Sequence, residues 1–267
     1  MKVVVVDGGG LMGVETALWV RDHGHEVALV QAPGGAHAPS CDEIAEALRG
    51  SSVVVDLAHQ PSADIGTLSE DHGLVVDEAA LVDSWAVSTG ALLRAGAAAG
   101  VRHYVCLSVV GVDRVGSEGA FRALRTREAV VRRSGIPYSI LRATQTFDAA
   151  EDIATAATED WIVWVPPAEV RPVSLTDVAT LLAHTAVTRP VNGVREIAGP
   201  EQFRLDAFVR TALMTEAEYR QVRTDALSPF YGARLRPFDL LPGPDAFIAR
   251  TTYRDWFAGR PAPDTTS

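Results

Sequence analysis

Hydrophobic and polar positions along this chain follow two alternating rhythms. Short, near-continuous apolar runs at residues 3–6, 26–30, 53–57, 101–110 and 137–141 are separated by stretches with apolar residues at helical spacing. Those stretches cover 13 to about 23, 42–48, 83–99 and 119–133, and Gly24, Gly100 and Ser134-Gly135 close three of them. Val/Ile/Leu runs without alternation fit strands buried on both faces, and the periodic stretches fit helices that cover them. Repeated strand–helix units predict an α/β fold, a doubly wound parallel sheet of the Rossmann type with right-handed crossovers. Residues 1–147 form its core.

Beyond residue 147 the rhythm loosens. Strand patterns at 161–165, 170–173 and 194–197 and helices at 175–187, with Ser174 as N-cap, and 205–214 predict a smaller C-terminal α+β part. It runs from 148 to 258 and is interwoven with the core. Residues 259–267 read as a flexible tail. The Pro- and aromatic-rich segment 229–242 is the best lid. Trp161, Trp164, Phe230, Tyr231, Tyr253 and Trp256 are core or lid residues that together offer an aromatic wall for a flat substrate.

The first strand runs directly into Asp7-Gly-Gly-Gly-Leu-Met-Gly13. A strand, then Gly8-x-Gly10-x-x-Gly13, then a helix is the layout of a dinucleotide-binding turn. One glycine makes the turn, one lets backbone approach a pyrophosphate, and one packs helix on strand. Gly8, Gly10, Leu11, Met12 and Gly13 are therefore cofactor-binding candidates, with backbone N–H groups facing phosphate. Asp7 sets a like charge close to that phosphate. Ligands of open α/β sheets bind beyond the carboxyl ends of the strands. That rule selects Gln31, then Ala58 and His59, then Ser108, then Thr144 and Gln145. An acid after the second strand would hold the ribose of NAD and an Arg the 2′-phosphate of NADP. Gln31 stands there instead, able to hydrogen-bond a ribose, and His37 follows in the next loop.

Composition narrows the function classes. The chain has 267 residues, 47% hydrophobic and 22% charged, enough for a sizeable core. A net charge of −10 opposes nucleic-acid binding. No apolar run reaches a membrane span, and the first is too short for a signal peptide. Two cysteines, Cys41 and the core residue Cys106, make no disulfide framework, which fits a cytoplasmic protein. The histidines show no metal-ligand spacing, so no metal is expected. His23 and His25 flank a turn glycine on the surface.

Several long stretches resemble the NmrA-like atypical short-chain dehydrogenase/reductases. They are Lys2-Val-Val-Val-Val-Asp-Gly-Gly-Gly-Leu-Met-Gly13, the segment from Ala97 to Asp113, Ser134-Gly-Ile-Pro-Tyr-Ser-Ile-Leu-Arg-Ala-Thr-Gln-Thr-Phe147, and Val194-Arg-Glu-Ile-Ala-Gly-Pro200. The resemblance implies a Rossmann domain with a small substrate part, holding NADH or NADPH, with NADPH slightly favoured. It also implies a Tyr-x-x-x-Lys pair on the helix after the serine strand. Here Ala120 and Leu124 occupy those positions, and a one-residue slip offers Phe121 and Arg125, where Phe has no proton to give.

Three readings follow. One is an NAD(P)H-dependent reductase of a small-molecule ketone, such as a flat aromatic polyketide of antibiotic biosynthesis, working without the usual acid. Hydrogen bonds then come from the substrate itself or from Ser108, His59, Thr144 or Gln145, the catalytic candidates. A second is a non-catalytic NAD(P)-binding sensor of the NmrA type. A third is an isomerase or cyclase on the same fold, with Asp7, His59 or Asp148 as acid/base groups. Asp177 reads as a partner of a helix dipole.

Overall fold

The computed structural model describes residues 1–7, 10–31, 41–58, 67–69, 73–75, 78–116, 118–215 and 220–259. The opening valine run forms β1 (Lys2–Asp7), followed by α1 (Leu11–Asp22), β2 (Glu26–Gln31), α2 (Cys41–Leu48) and β3 (Val53–Asp56). A small antiparallel pair, β4 (Thr67–Ser69) and β5 (Gly73–Val75), leads to α3 (Glu78–Ala98). Next come β6 (His103–Val109), α4 (Gly119–Arg132), β7 (Tyr138–Ala143) and α5 (Ala149–Ala156). The later elements are β8 (Thr158–Glu159), β9 (Ile162–Val165), β10 (Glu169–Val170), α6 (Leu175–Val187) and β11 (Gly193–Ala198). They end with β12 (Phe203–Arg204), α7 (Leu205–Thr215), β13 (Gln221–Thr224), β14 (Phe247–Ile248) and α8 (Tyr253–Ala258).

Seven strands form one parallel sheet in the order β14-β11-β7-β6-β3-β1-β2. Val3, Val5, Val55, Leu107 and Leu141 pack under α1 and α6, while Val4, Val54, Cys106 and Ile140 pack under α2, α3 and α4. Both faces are covered, which is why the strands read as near-continuous apolar runs. The path leaves β1 on one side for β2, then returns past β1 to β3. That reversal is the switch point at which doubly wound sheets bind ligands. Among the described residues nothing pairs with the outer edge of β2.

A third apolar cluster joins the starts of α3 and α4 to α5, β9, α7 and α8. Residues after 147 therefore serve both parts. β11 and β14 complete the sheet, α6 covers one of its faces, and the rest builds the smaller α+β part with its β13-β9-β8 sheet.

Several boundaries differ from the sequence reading. α3 begins at Glu78 rather than 83, because Glu78 sets a carboxylate in the first turn and pairs with Arg122 at 2.9 Å. The strand expected at 170–173 stops at Val170, ahead of Pro172, which has no N–H to donate. Ser174 holds the N-cap position of α6, but its side chain makes no capping bond. Trp161 is 82% exposed on a turn and belongs to no aromatic wall. Gly8, His37 and His59, and the tail beyond 259, lie outside the described residues. No described helix is long and apolar enough to cross a membrane.

Candidate functional site

A cleft of about 370 Å³ opens at the carboxyl ends of β1, β3, β6 and β7. Gly10, Leu11 and Met12 at the start of α1 form one wall, and Phe121, Phe230 and Tyr231 form the other. Between them lie Ser108, Thr144 and Gln145, with Asp148 and Asp152 at the rim. Three of the sequence-selected side chains thus meet in one place, because parallel register aligns the strand ends. Ser108 pairs with Arg142 across β6 and β7. Ala58 follows β3, buried, and gives its N–H to Asp56 Oδ1 at 3.1 Å. Gln31 closes β2 opposite Asp7.

The start of α1 suits an anion. Its N-cap is Gly10, with no side-chain capping bond, and its first turn carries no acid. The first N–H groups of a helix have no intrahelical partners, and the helix dipole adds positive potential there. Gly13 is buried, so α1 packs closely on the sheet.

The polar side chains of the cleft differ in what they still offer. Ser108 Oγ donates to buried Glu128 Oε1 at 2.7 Å. Glu128 also accepts from Arg142 at 2.9 and 2.8 Å and from Arg132 at 2.7 Å. Burial works against the Arg142 charge, but Glu128 and Asp113 outweigh it and raise its pKa above the usual value. Thr144 Oγ1 donates to the Arg171 carbonyl at 2.6 Å. The protons that Ser108 and Thr144 were expected to give a ligand therefore already have acceptors inside the protein. Gln145 differs: it is 8% exposed, and its Oε1 is buried with no hydrogen-bond partner. An unsatisfied buried acceptor costs about 1–3 kcal/mol unless a ligand supplies a donor.

Beneath the cleft a second buried network fixes α4 to the sheet. Arg127 pairs with Asp56 at 2.8 Å and donates to the Leu107 carbonyl at 2.7 Å, and Tyr104 donates to Asp56 at 2.5 Å. Burial, with Asp56 adding to it, raises the Tyr104 pKa well above its usual value. Ala120 and Leu124 are buried in the third cluster, and Arg125 donates to the Val112 and Val115 carbonyls. No Tyr or Lys stands on this face of α4.

The sequence places Tyr231 among core or lid residues that offer an aromatic wall, and gives no role to its hydroxyl. Phe230 and Ala233 exchange backbone hydrogen bonds around a two-residue turn, with φ of 48° at Tyr231 and 81° at Gly232. Positive φ at both central residues is the hairpin geometry that usually takes Asn-Gly, so a Tyr there costs about 1 kcal/mol. Docking holds it. Ala120 N–H donates to the Tyr231 carbonyl at 3.0 Å, and a Cβ on Gly119 would lie 2.2 Å from that oxygen. Burial, and next the Asp152 charge, raise the Tyr231 pKa. The segment expected as a lid is in fact pinned. Arg114 donates to the Asp239 and Leu241 carbonyls, and Glu169 N–H to the Pro237 carbonyl. Behind the turn a second cavity of about 430 Å³ shares Phe230 and Tyr231 with the cleft and is bordered by Trp164 and Pro166.

No protein-family model matches the chain, and no curated protein matches it in sequence. Solved structures do match in fold. MoeE5, in complex with UDP-glucose and NAD, aligns with a TM-score of 0.68 over 97% of this chain and 96% of its own, at 16% identity. The dTDP-glucose 4,6-dehydratase DesIV of Streptomyces venezuelae, with NAD and TYD bound, aligns at 0.62 over 84% of each chain and 14% identity. The NADPH-dependent quinone oxidoreductase QOR2 of Escherichia coli aligns at 0.58 over 84% of this chain and 78% of its own, at 15% identity. Likeness at this identity shows the Rossmann-type fold.

Proposed function

We propose that this protein is an NAD(P)H-dependent reductase of a small-molecule ketone, of the NmrA-like short-chain dehydrogenase/reductase kind. The cleft at the strand ends, which starts at an acid-free helix N-terminus and is lined by Gln145, carries the reading. The same features fit a nicotinamide dinucleotide. Gly10, Leu11, Met12 and Gly13, with Gly8 before them, would hold the pyrophosphate. Gln31 would meet a ribose, and Ala58 and His59 would border the cofactor. Solved structures of this fold that hold NAD or NADPH support the choice.

When bound in its reduced form, the cofactor supplies a hydride. The chain's own residues do the rest. Gln145 lines the cleft, where its carboxamide N–H would donate to a ligand carbonyl and so orient the ligand. Leu57, Leu107, Ala143 and Phe121 give apolar walls that exclude water and suit a flat aromatic ketone. The Glu128–Arg142 network keeps the end of β7, and with it Thr144 and Gln145, in register with β6.

The test is to mix the protein with NADPH or NADH and a panel of aryl ketones and quinones. The expected result is consumption of nicotinamide, and Gln145→Leu is expected to weaken ketone binding about tenfold. Tight NAD(P) binding without any turnover would replace this reading with the sensor reading, which the buried Ala120 and Leu124 favour.

A further inference from the structure

Ala120 leaves α4 without a phenol, yet the backbone of a tyrosine from a distant part of the chain is hydrogen-bonded to that residue. The Tyr231 carbonyl accepts Ala120 N–H, and Gly119 leaves the turn just enough room to sit on the first turn of α4. Tyr231 is 8% exposed and borders the cleft together with Thr144, Gln145 and Asp152. Ser108 and Thr144 give their protons to Glu128 and Arg171, and the Tyr231 hydroxyl donates to no described residue.

We propose that Tyr231 is a catalytic residue whose phenol O–H donates to the carbonyl oxygen of the bound ketone. The assignment rests on the reductase reading. The hydride that the reduced nicotinamide supplies forms the new C–H bond, and the carbonyl π pair moves onto oxygen. The Tyr231 proton completes the alcohol, and water returns a proton to the phenolate. Before that step, burial and Asp152 keep the phenol protonated through the neutral range, so it enters as a donor. A donor preset in a dry site acts on the charge that builds in the transition state.

Tyr231→Phe keeps the ring and the backbone contact and removes only the hydroxyl. The probe is 1-tetralone labelled with carbon-13 at its carbonyl, studied with NADP⁺ by infrared difference and with NADPH by turnover. The expected result is a kcat about 10²-fold lower in Y231F, unchanged NADPH binding, and a carbonyl stretch at lower wavenumber in the parent protein. Equal turnover and equal stretch in both proteins would overturn the assignment and leave the reductase reading standing. A parent protein that binds NADPH but oxidises none with tetralone or quinones would overturn both. If Y231F melts early, a fluorotyrosine at position 231 keeps the shape. Its fluorine resonance moves on tetralone binding if the phenol meets the ketone, and an unmoved resonance rejects the contact.

Discussion

Glu128 never reaches solvent, yet its two oxygens collect hydrogen bonds from Ser108, Arg132 and Arg142. Replacing it by Ala strands a buried guanidinium. Glu128→Ala is expected to cost about 3–5 kcal/mol in urea unfolding. Ser108→Ala removes one hydrogen bond from the same network and costs about 1 kcal/mol. Because the Ser108 proton points to Glu128, that variant is expected to lower Tm and leave kcat nearly unchanged. His103 gives a pH signature. Burial brings its imidazole down to about 4 in the folded chain, against about 6.5 when unfolded. Between those values the unfolded chain binds the extra proton. Stability is therefore full above pH 6.5 and falls as pH drops toward 4, by roughly 2 kcal/mol. Urea midpoints measured from pH 7 to 4 test this, and His103→Gln is expected to flatten the slope.

Between elements, the contact of the Phe230–Ala233 turn with the start of α4 decides the shape of the cleft. Gly119 has φ of +56°, and any Cβ there meets the Tyr231 carbonyl. Gly119→Ala is expected to destabilise by at least about 2 kcal/mol and to weaken ligand binding in the cleft, read by thermal melting and calorimetry. This contact also marks where sequence reading stopped. The β1–turn–α1 unit, the parallel sheet and the meeting of Ser108, Thr144 and Gln145 were legible, because apolar runs and strand-end positions fix them locally. Tyr231 was not. Tyr-Gly is an unusual pair for such a turn, and only tertiary docking makes its strain tolerable. The direction of the Ser108 hydroxyl was equally hidden, since Glu128 lies on the next element and meets it only after β6 and α4 pack. Two-residue strands such as β12 and β14 carry no periodic signal.

At the scale of the whole molecule, the sheet is finished by late segments. β11 pairs with β7, β14 pairs with β11, and α6 covers a face built from the first strands. A dinucleotide held at the start of α1 is expected to stabilise the whole chain rather than its first half. NADPH at about 100 times its Kd adds roughly 2.7 kcal/mol, read as one cooperative rise in Tm. The seat of Tyr231 on Ala120 has a further consequence for how the protein is made. Synthesis proceeds from the N-terminus, so the glycine turn and β1–β7 are translated well before residues 230–233. Until those arrive, the start of α4 stays open and its apolar residues lack their cover. A sheet of the early strands is therefore able to form before the cleft is closed, and later segments complete both.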